Sequence, residues 1–364
     1  MKILDKYIIK KFIQTFLFII FILTIIVLVI DISENLNRME SNGSNLKEAL
    51  VEYYPYWIIW LTNTFISIVV FIATIFFTSQ LSEKSEIIAM TSGGVSFYRL
   101  VKPYFIIASS LFVITLLVNH FALPYANVYK NKYNFDHLQF RSKNQEFLYN
   151  RKIAVQISKN EYLFVHSFNR AENTGEGLLY EKFKGQNLVE SYKAAEIKWV
   201  PKDSIYELID CYEYYKISNK KDSLAYNLIK RKKIKATPDD ILPESYVAET
   251  MNTPKLLDFI KKEKEKGSSD IDVYSTVLHK RTSLPFSNFI LAILGFSISS
   301  ERKRGGMGLN LAIGISLAFG FIFANQMISI LSDHSVVNPF LGAWIPNFIF
   351  GSITLYLFIK RSKV

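Results

Sequence analysis

A chain of 364 residues, half of them hydrophobic and carrying a net charge of +11, is long enough for two or three domains. The charge does not point to nucleic acid: lysines and arginines sit beside apolar blocks, as membrane flanks do, and no zinc-finger spacing or RNA-binding signature is present. Cys211 stands alone, which excludes an internal disulfide and a site of several thiolates; it reads as a half-buried strand residue.

Six runs reach the length of about 20 apolar residues that a helix needs to cross a bilayer. They fall at 12–30, 57–77, 105–123, 284–299, 309–331 and 340–359. No small-residue cleavage site follows the first, so it reads as a retained helix and not a signal peptide. With the N-terminus inside, the inner side gets Lys2, Lys6, Lys10, Lys11, Lys84, Arg99, Lys102, Arg302, Lys303, Arg304, Lys360, Arg361 and Lys363. The short outer loops keep only Arg38 and Lys47. That asymmetry predicts both termini on the cytoplasmic side. Residues 31–55 read as an acidic outer loop with Asp31, Glu34, Glu40, Glu48 and Glu52, followed by Tyr53, Tyr54, Tyr56, Trp57 and Trp60 at headgroup level.

Between the second and third spans lies LSEKSEIIAMTSGGVSFYRLVKP, residues 81–103. Ser82 reads as an N-cap, with Glu83 and Glu86 near the positive end of a short helix. Gly93 and Gly94 end it, and Ser96 caps the next helix, which runs through Arg99 and Lys102 to Pro103, where a backbone donor is missing. The pattern is a short surface helix with carboxylates at one end and a hinge after it.

An insert of domain size separates the third and fourth spans. From 152 to 235 it alternates as strands broken at 173–177, KGQN and PKDS, which predicts an antiparallel sandwich or barrel. The run KRKKIK, 230–235, reads as a solvated strand edge, with phosphate contact as the sharper alternative. Thr253 and Pro254 read as N-cap and N1 of a helix that turns Leu256, Leu257 and Ile260 inward and ends at Gly267. The division is then 1–123 for three spans and the surface helix, 124–283 for the β domain and its connecting helices, and 284–364 for three more spans.

In the fifth span Gly308, Ala312, Ser316, Gly320 and Ala324 recur every fourth residue, a small-residue ridge that lets helix backbones approach closely in lipid. Asn325 and Gln326 in the same span read as interhelical hydrogen-bond formers, with substrate contact as the alternative. There is no phosphate-binding G-x-x-x-x-G-K-[ST], no H-E-x-x-H and no G-x-S-x-G. The five histidines, His120, His137, His166, His279 and His334, have no ligand spacing. Neither an active site, a cofactor nor a metal is implied.

Taken together, ILDKYIIKKF, SEIIAMTSGGVSFYRLVKP, MNTPKLLDFIKKEKEKG, LHKRTSLPF and AWIPNFIF make the chain resemble the LptF/LptG permease family over nearly its whole length. The resemblance implies a membrane α-helical bundle of six spans with an inserted periplasmic β-jellyroll, in the inner membrane of a Gram-negative bacterium. It implies a transport subunit, not an enzyme, that serves outer-membrane biogenesis by lifting lipopolysaccharide from that membrane. The implied partners are the paralogous LptF or LptG, the LptB ATPase dimer that uses the ATP, and LptC and LptA of the periplasmic bridge. Carried over, Glu86 matches the family's acidic coupling residue, and Glu83, Ile87, Met90, Gly93 and Arg99 surround it as the ATPase-coupling group. The opening residues are closer to LptG than to LptF. Where some relatives carry basic residues at the outer end of the first helix, this chain has Asp31 and Glu34, which argues against phosphate contact there. A membrane-anchored sensor or scaffold, or a permease for another lipid or protein, are the competing readings; short inner loops with a capped acidic helix favour the exporter.

Overall fold

In the computed structural model, residues 3–138, 153–169, 173–217, 221–238, 247–268, 270–301 and 305–363 are described. Lys2, Arg302, Lys303 and Arg304 of the charge asymmetry lie outside them. The chain divides into two compact units. One holds Met1–Gln139, Ala248–Leu256 and Asp272–Val364; the other holds Phe140–Val247 and Leu257–Ile271.

The helices are α1 (Ile3–Ser41), α2 (Leu46–Glu52), α3 (Tyr54–Glu83), α4 (Glu86–Ser92), α5 (Phe97–Leu117) and α6 (Leu123–Tyr133). After the strands come α7 (Val247–Thr250), α8 (Thr253–Glu265), α9 (Ile271–Ser299), α10 (Gly306–Asp333) and α11 (Pro339–Ser362). Wider π turns at Val118–Ala122 and Asn134–Leu138 make Phe97–Leu138 one helical rod. Among the described residues, six helices are long and apolar enough to cross a membrane: α1, α3, the Phe97–Leu138 rod, α9, α10 and α11. They are the six expected, but several run well past their apolar stretches. The 39 residues of α1 span about 58 Å at 1.5 Å per residue, roughly twice a hydrocarbon core of about 30 Å. Apolarity marks only the part in lipid; the helix goes on while its backbone bonds do.

That extension corrects the reading of 31–55. Asp31, Glu34 and Arg38 lie on α1, and most of the remainder is α2, capped by Asn45, whose side chain accepts from the Glu48 N–H at 2.9 Å. The aromatic cluster packs between helices. Tyr53, Tyr54 and Trp57 are buried with Met39, Ala49, Leu61, Tyr133 and Leu138, Tyr56 stacks on Tyr129 at 4.6 Å, and Lys130 lies 4.4 Å from the Trp60 ring centre.

At the centre of this unit α3 packs against α1, α5, α9 and α10. One apolar cluster joins Phe12, Val69, Val70, Phe77, Leu100 and Phe296, and another joins Phe71, Ile75, Leu291, Leu294, Phe321 and Phe350. Glycine permits the closest approaches: a Cβ on Gly295 would lie 3.0 Å from the Thr74 Cβ, and one on Gly314 would lie 2.4 Å from Ile75 Cδ1. Polar bonds between helices complete the packing, as buried polar groups in lipid require. Ser67 donates to Asn288 at 2.7 Å, Asn288 to Thr115 at 3.2 Å, Asn310 to Ser79 at 3.1 Å, and Asn347 to the Ser283 carbonyl at 2.7 Å.

The other unit is an antiparallel sheet of β1 (Ile153–Ser158), β2 (Glu161–Asn169), β3 (Thr174–Lys184), β4 (Asn187–Val200), β5 (Ile205–Ile217) and β6 (Lys221–Lys232). Among the described residues the strands pair in chain order, so the expected all-β insert is present as a meander. One transverse row bends it. The pairs Val165↔Leu178 and Ser167↔Glu176, Leu178↔Ala194 and Glu176↔Glu196, Ala194↔Cys211 and Glu196↔Ile209 continue in step on either side of His166, Gly177, Ala195 and Asp210. Gly177 and Asp210 there take left-handed conformations, at φ 64 and φ 51. Burial changes phase across that row. On β5, Tyr206 and Leu208 are buried before it, and Cys211 and Glu213 after it.

Cys211 is fully buried, more than its half-buried expectation, and burial foremost, with the nearby Glu213 charge, pushes its thiol pKa up to about 11. The basic run closes β6 with ion pairs: Lys230 to Glu213 at 2.9 Å, Arg231 to Glu207 at 2.9 Å and Lys232 to Glu190 at 2.5 Å. These positions are therefore neutralised by cross-strand carboxylates. On α8 the cap is Asn252, which accepts from the Lys255 N–H at 3.2 Å, so Thr253 is freed for other bonds. Leu256 is buried as expected, whereas Leu257 is exposed, and the helix ends at Glu265 before the left-handed Gly267.

Candidate functional site

At one end of the helical bundle α3, α4 and α5 follow one another with almost no loop. The sequence places a cap at Ser82, but Ser82 is buried inside the last turn of α3. The apolar face of α3 continues through Leu81, so the helix has no reason to stop there. The break comes at Ser85, a non-glycine residue in the left-handed region at φ 61, and α4 starts at Glu86. Ser85 makes no side-chain cap bond to α4. At the far end, Gly94 at φ 86 closes α4: its N–H bonds the Thr91 carbonyl at 3.0 Å, and the Val95 N–H bonds Met90 at 3.1 Å. That pair of bonds is a Schellman motif, and its left-handed residue is what glycine supplies. Ser96 then caps α5 by accepting from the Arg99 N–H at 3.3 Å.

The structure separates the coupling group assembled from sequence. Glu86 and Met90 remain together on α4, with Gly93 just past its end, half-buried or exposed. Glu83 belongs to α3, and its Oε1 would be 3.7 Å from a Cβ on Gly306, at the start of α10. A carboxylate there complements the positive end of that helix. Ile87 is 8% exposed and packs inward with Ile8, Phe12 and Leu100, so it cannot fill a groove on a partner. Ile88, 48% exposed, is the apolar side chain that α4 presents. Arg99 points back into the protein and pairs with Asp5. Glu86 accepts a hydrogen bond from the Tyr7 hydroxyl at 2.9 Å. Sequence reasoning passed over Asp5 and Tyr7, because a short polar lead before an apolar run looks like an ordinary membrane flank.

Away from α4, the ridge on α10 faces outward. Gly308, Ala312, Ser316 and Gly320 are exposed and Ala324 is half-buried. A Cβ on Gly308 would meet nothing within 4 Å, and one on Gly320 would touch only the Phe350 ring, at 3.7 Å. The buried face of α10 carries a different small-residue set, Asn310, Gly314 and Ala318.

A cavity of about 520 Å³ lies in the same unit, with Trp60, Asn63, Asn119, Lys280, Asn325 and Gln326 among its lining residues. The expected interhelical role of Asn325 is corrected: its amide donates to the Phe321 carbonyl of its own helix at 2.9 Å. Beside the cavity Arg281 is nearly buried. It donates to the Ala248 carbonyl at 3.0 Å, the Met251 carbonyl at 2.6 Å and the Thr253 hydroxyl at 2.9 Å. Thr253 also meets His120 Nδ1 at 2.7 Å, and Asn119 bonds Asn63 at 2.7 Å and the Arg281 carbonyl at 3.3 Å. Arg281 thus staples the segment that precedes α8 to the bundle.

The family description "Lipopolysaccharide export system permease LptF/LptG" matches residues 6–360, nearly the whole chain and including α4 and both ends of the bundle. The chain belongs to the LptF/LptG family. Its members are transport subunits, which agrees with the six long apolar helices and the β insert. The lipopolysaccharide export system permease protein LptG of Escherichia coli strain K12 is 20% identical over 284 residues, 78% of this chain and 78% of that protein. LptG of Escherichia coli O6:H1 gives the same figures. The LptF/LptG match spans α4, Tyr7 and Arg99 and begins one residue after Asp5, so this end of the bundle is the candidate site of a permease.

Proposed function

We propose that the chain is the permease subunit of an ABC-type exporter that takes lipopolysaccharide out of the inner membrane and hands it to a periplasmic bridge. The motor is a partner ATPase of the LptB kind, which uses the ATP, and the second half of the pore is the paralogous permease. The termini and α4 lie in the cytoplasm, and the β unit lies in the periplasm with LptC and LptA. The observation that carries this reading is the family match across residues 6–360, joined to a short helix whose exposed side offers Glu86, Ile88 and Met90. Both matched relatives are LptG proteins, which supports the LptG side of the pair. The outward ridge Gly308, Ala312, Ser316 and Gly320 is available to the paralogue, since it is not used within this chain. Anionic groups of the lipid meet Lys280 in the cavity, away from the acidic outer end of α1.

The coupling contact is Glu86 on the ATPase. Tyr7 bonds its Oε2 and leaves Oε1 for a partner, and a well-placed interfacial charge pair is worth about 1.5–7 kcal/mol. The test is Glu86→Lys in the co-expressed complex, scored by ATPase co-purification and lipopolysaccharide release. Loss of either with normal membrane insertion supports the role; wild-type values for both leave Glu86 as a helix-dipole residue.

A further inference from the structure

The first turns of α1 are tied to the α4–α5 turn by polar bonds as well as by packing. Asp5 is 2% exposed. Its Oδ2 accepts a hydrogen bond from Arg99 Nη2 at 2.9 Å, and its Oδ1 lies 2.8 Å from Arg99 Nη1 in an ion pair. Tyr7 reaches α4 itself through Glu86. Ile8 and Phe12 pack in one cluster with Ile87, Leu100 and Val101, and Leu4, Met90 and Val95 fill its edge. Further along α1 the situation reverses. Leu17, Phe18, Phe21, Ile25, Ile26, Val29 and Ile30 are exposed, at 44–64%.

We propose that Asp5 and Tyr7 are positioning residues that fasten α1 to the α4–α5 turn, so that displacement of α4 carries the first turns of α1 with it. This rests on the docking of an ATPase at α4 proposed above. The physical argument concerns which joints slide. Apolar side chains can shift past one another at little cost. A charge-assisted Arg–carboxylate bond is short and directional, and parting it in a buried setting strands a charge. A push on α4 therefore reaches α1 through Glu86 and Tyr7, and Asp5 with Arg99 keeps α1 in step with the first turn of α5.

The test uses the full complex with its ATPase and measures three quantities: ATPase retained, ATP hydrolysed and lipopolysaccharide released. The variants are Asp5→Asn, Tyr7→Phe and the swap of Asp5→Arg with Arg99→Asp. Release per ATP should fall about tenfold in Asp5→Asn and about threefold in Tyr7→Phe. Retention and hydrolysis should stay near wild type, and the swap should recover release. Wild-type release per ATP in both single variants overturns the proposal. So does loss of the ATPase with release per ATP unchanged in the complexes that remain, because Asp5 would then only shape the α4 surface. Should Asp5→Asn fail to assemble, Tyr7→Phe decides, since it removes one exposed hydroxyl. Failure of the docking reading registers separately, as full ATPase retention and release in Glu86→Lys.

Discussion

Replacing Arg281 by Met removes the staple on the segment before α8 while keeping most of the buried stem. Three bonds are lost, to the Ala248 and Met251 carbonyls and to Thr253. Hydrogen bonds to a charged donor contribute about 1.5–3 kcal/mol each. They share one guanidinium and do not add fully, and Thr253 keeps its contact with His120. A net loss of about 3 kcal/mol follows, within the range for breaking a buried charged network. Since 1.4 kcal/mol is a factor of ten, amide exchange in residues 248–253 should accelerate roughly a hundredfold. Arg281→Lys, a point charge with no fork, should produce about half of that free-energy loss. Hydrogen exchange by mass spectrometry in detergent or nanodiscs reads both. Exchange within about threefold of wild type in both variants would refute the reasoning, because the segment would then be held by something other than these bonds.

Further expectations are simpler. In a Cys211→Ala background, single cysteines at Ser92 and Lys202 should react with an impermeant maleimide from opposite sides of the inner membrane; reaction of both from one side ends the proposed topology. Gly314→Leu should lower the yield of folded chain, because the new side chain must enter space held by Ile75. Gly320→Leu should instead leave the chain folded and reduce co-purification of the paralogue, and normal assembly would show that the outward ridge meets lipid. With its pKa pushed up to about 11, Cys211 should have only about one thiolate in a thousand at pH 8. It should resist maleimide until the protein is denatured; labelling at the rate of a free thiol would contradict its burial.

What could be read in the sequence was whatever a local run of residues decides. Twenty apolar residues in a row need a bilayer or a core, so the six spans were legible. Gly94 and Ser96 were legible because a left-handed turn and a cap each need particular residue types. Direction was harder. Small residues recur every fourth position twice on α10, once through Gly308 and Gly320 and once through Asn310, Gly314 and Ala318, and spacing alone does not say which set faces inward. Ser82 was misread because capping chemistry and a buried helical serine look alike until the neighbouring helices are known. Arg281 was hidden by its place in HKR, which resembles a membrane flank, and its acceptors lie 28 to 33 residues away. Ile87 and Ile88 are chemically equal, and only packing against α1 decides which of them remains outside.

The bent row of the sheet has a consequence for how the β unit tolerates change. Each strand crossing it reverses the sense of its alternation, so a two-residue periodicity summed over the whole of β5 cancels itself. The two stretches are like a waveform spliced with half a cycle added. Removing the single residue Asp210 while the neighbouring strands keep their bend would move every later residue of β5 one place along that frame, exchanging inside for outside. Glu213 and Cys211 would be turned to solvent, and Tyr212 and Tyr214 would be driven into the interior. Length at this position is therefore under stricter control than identity, and deletions there should be far less forgiving than substitutions.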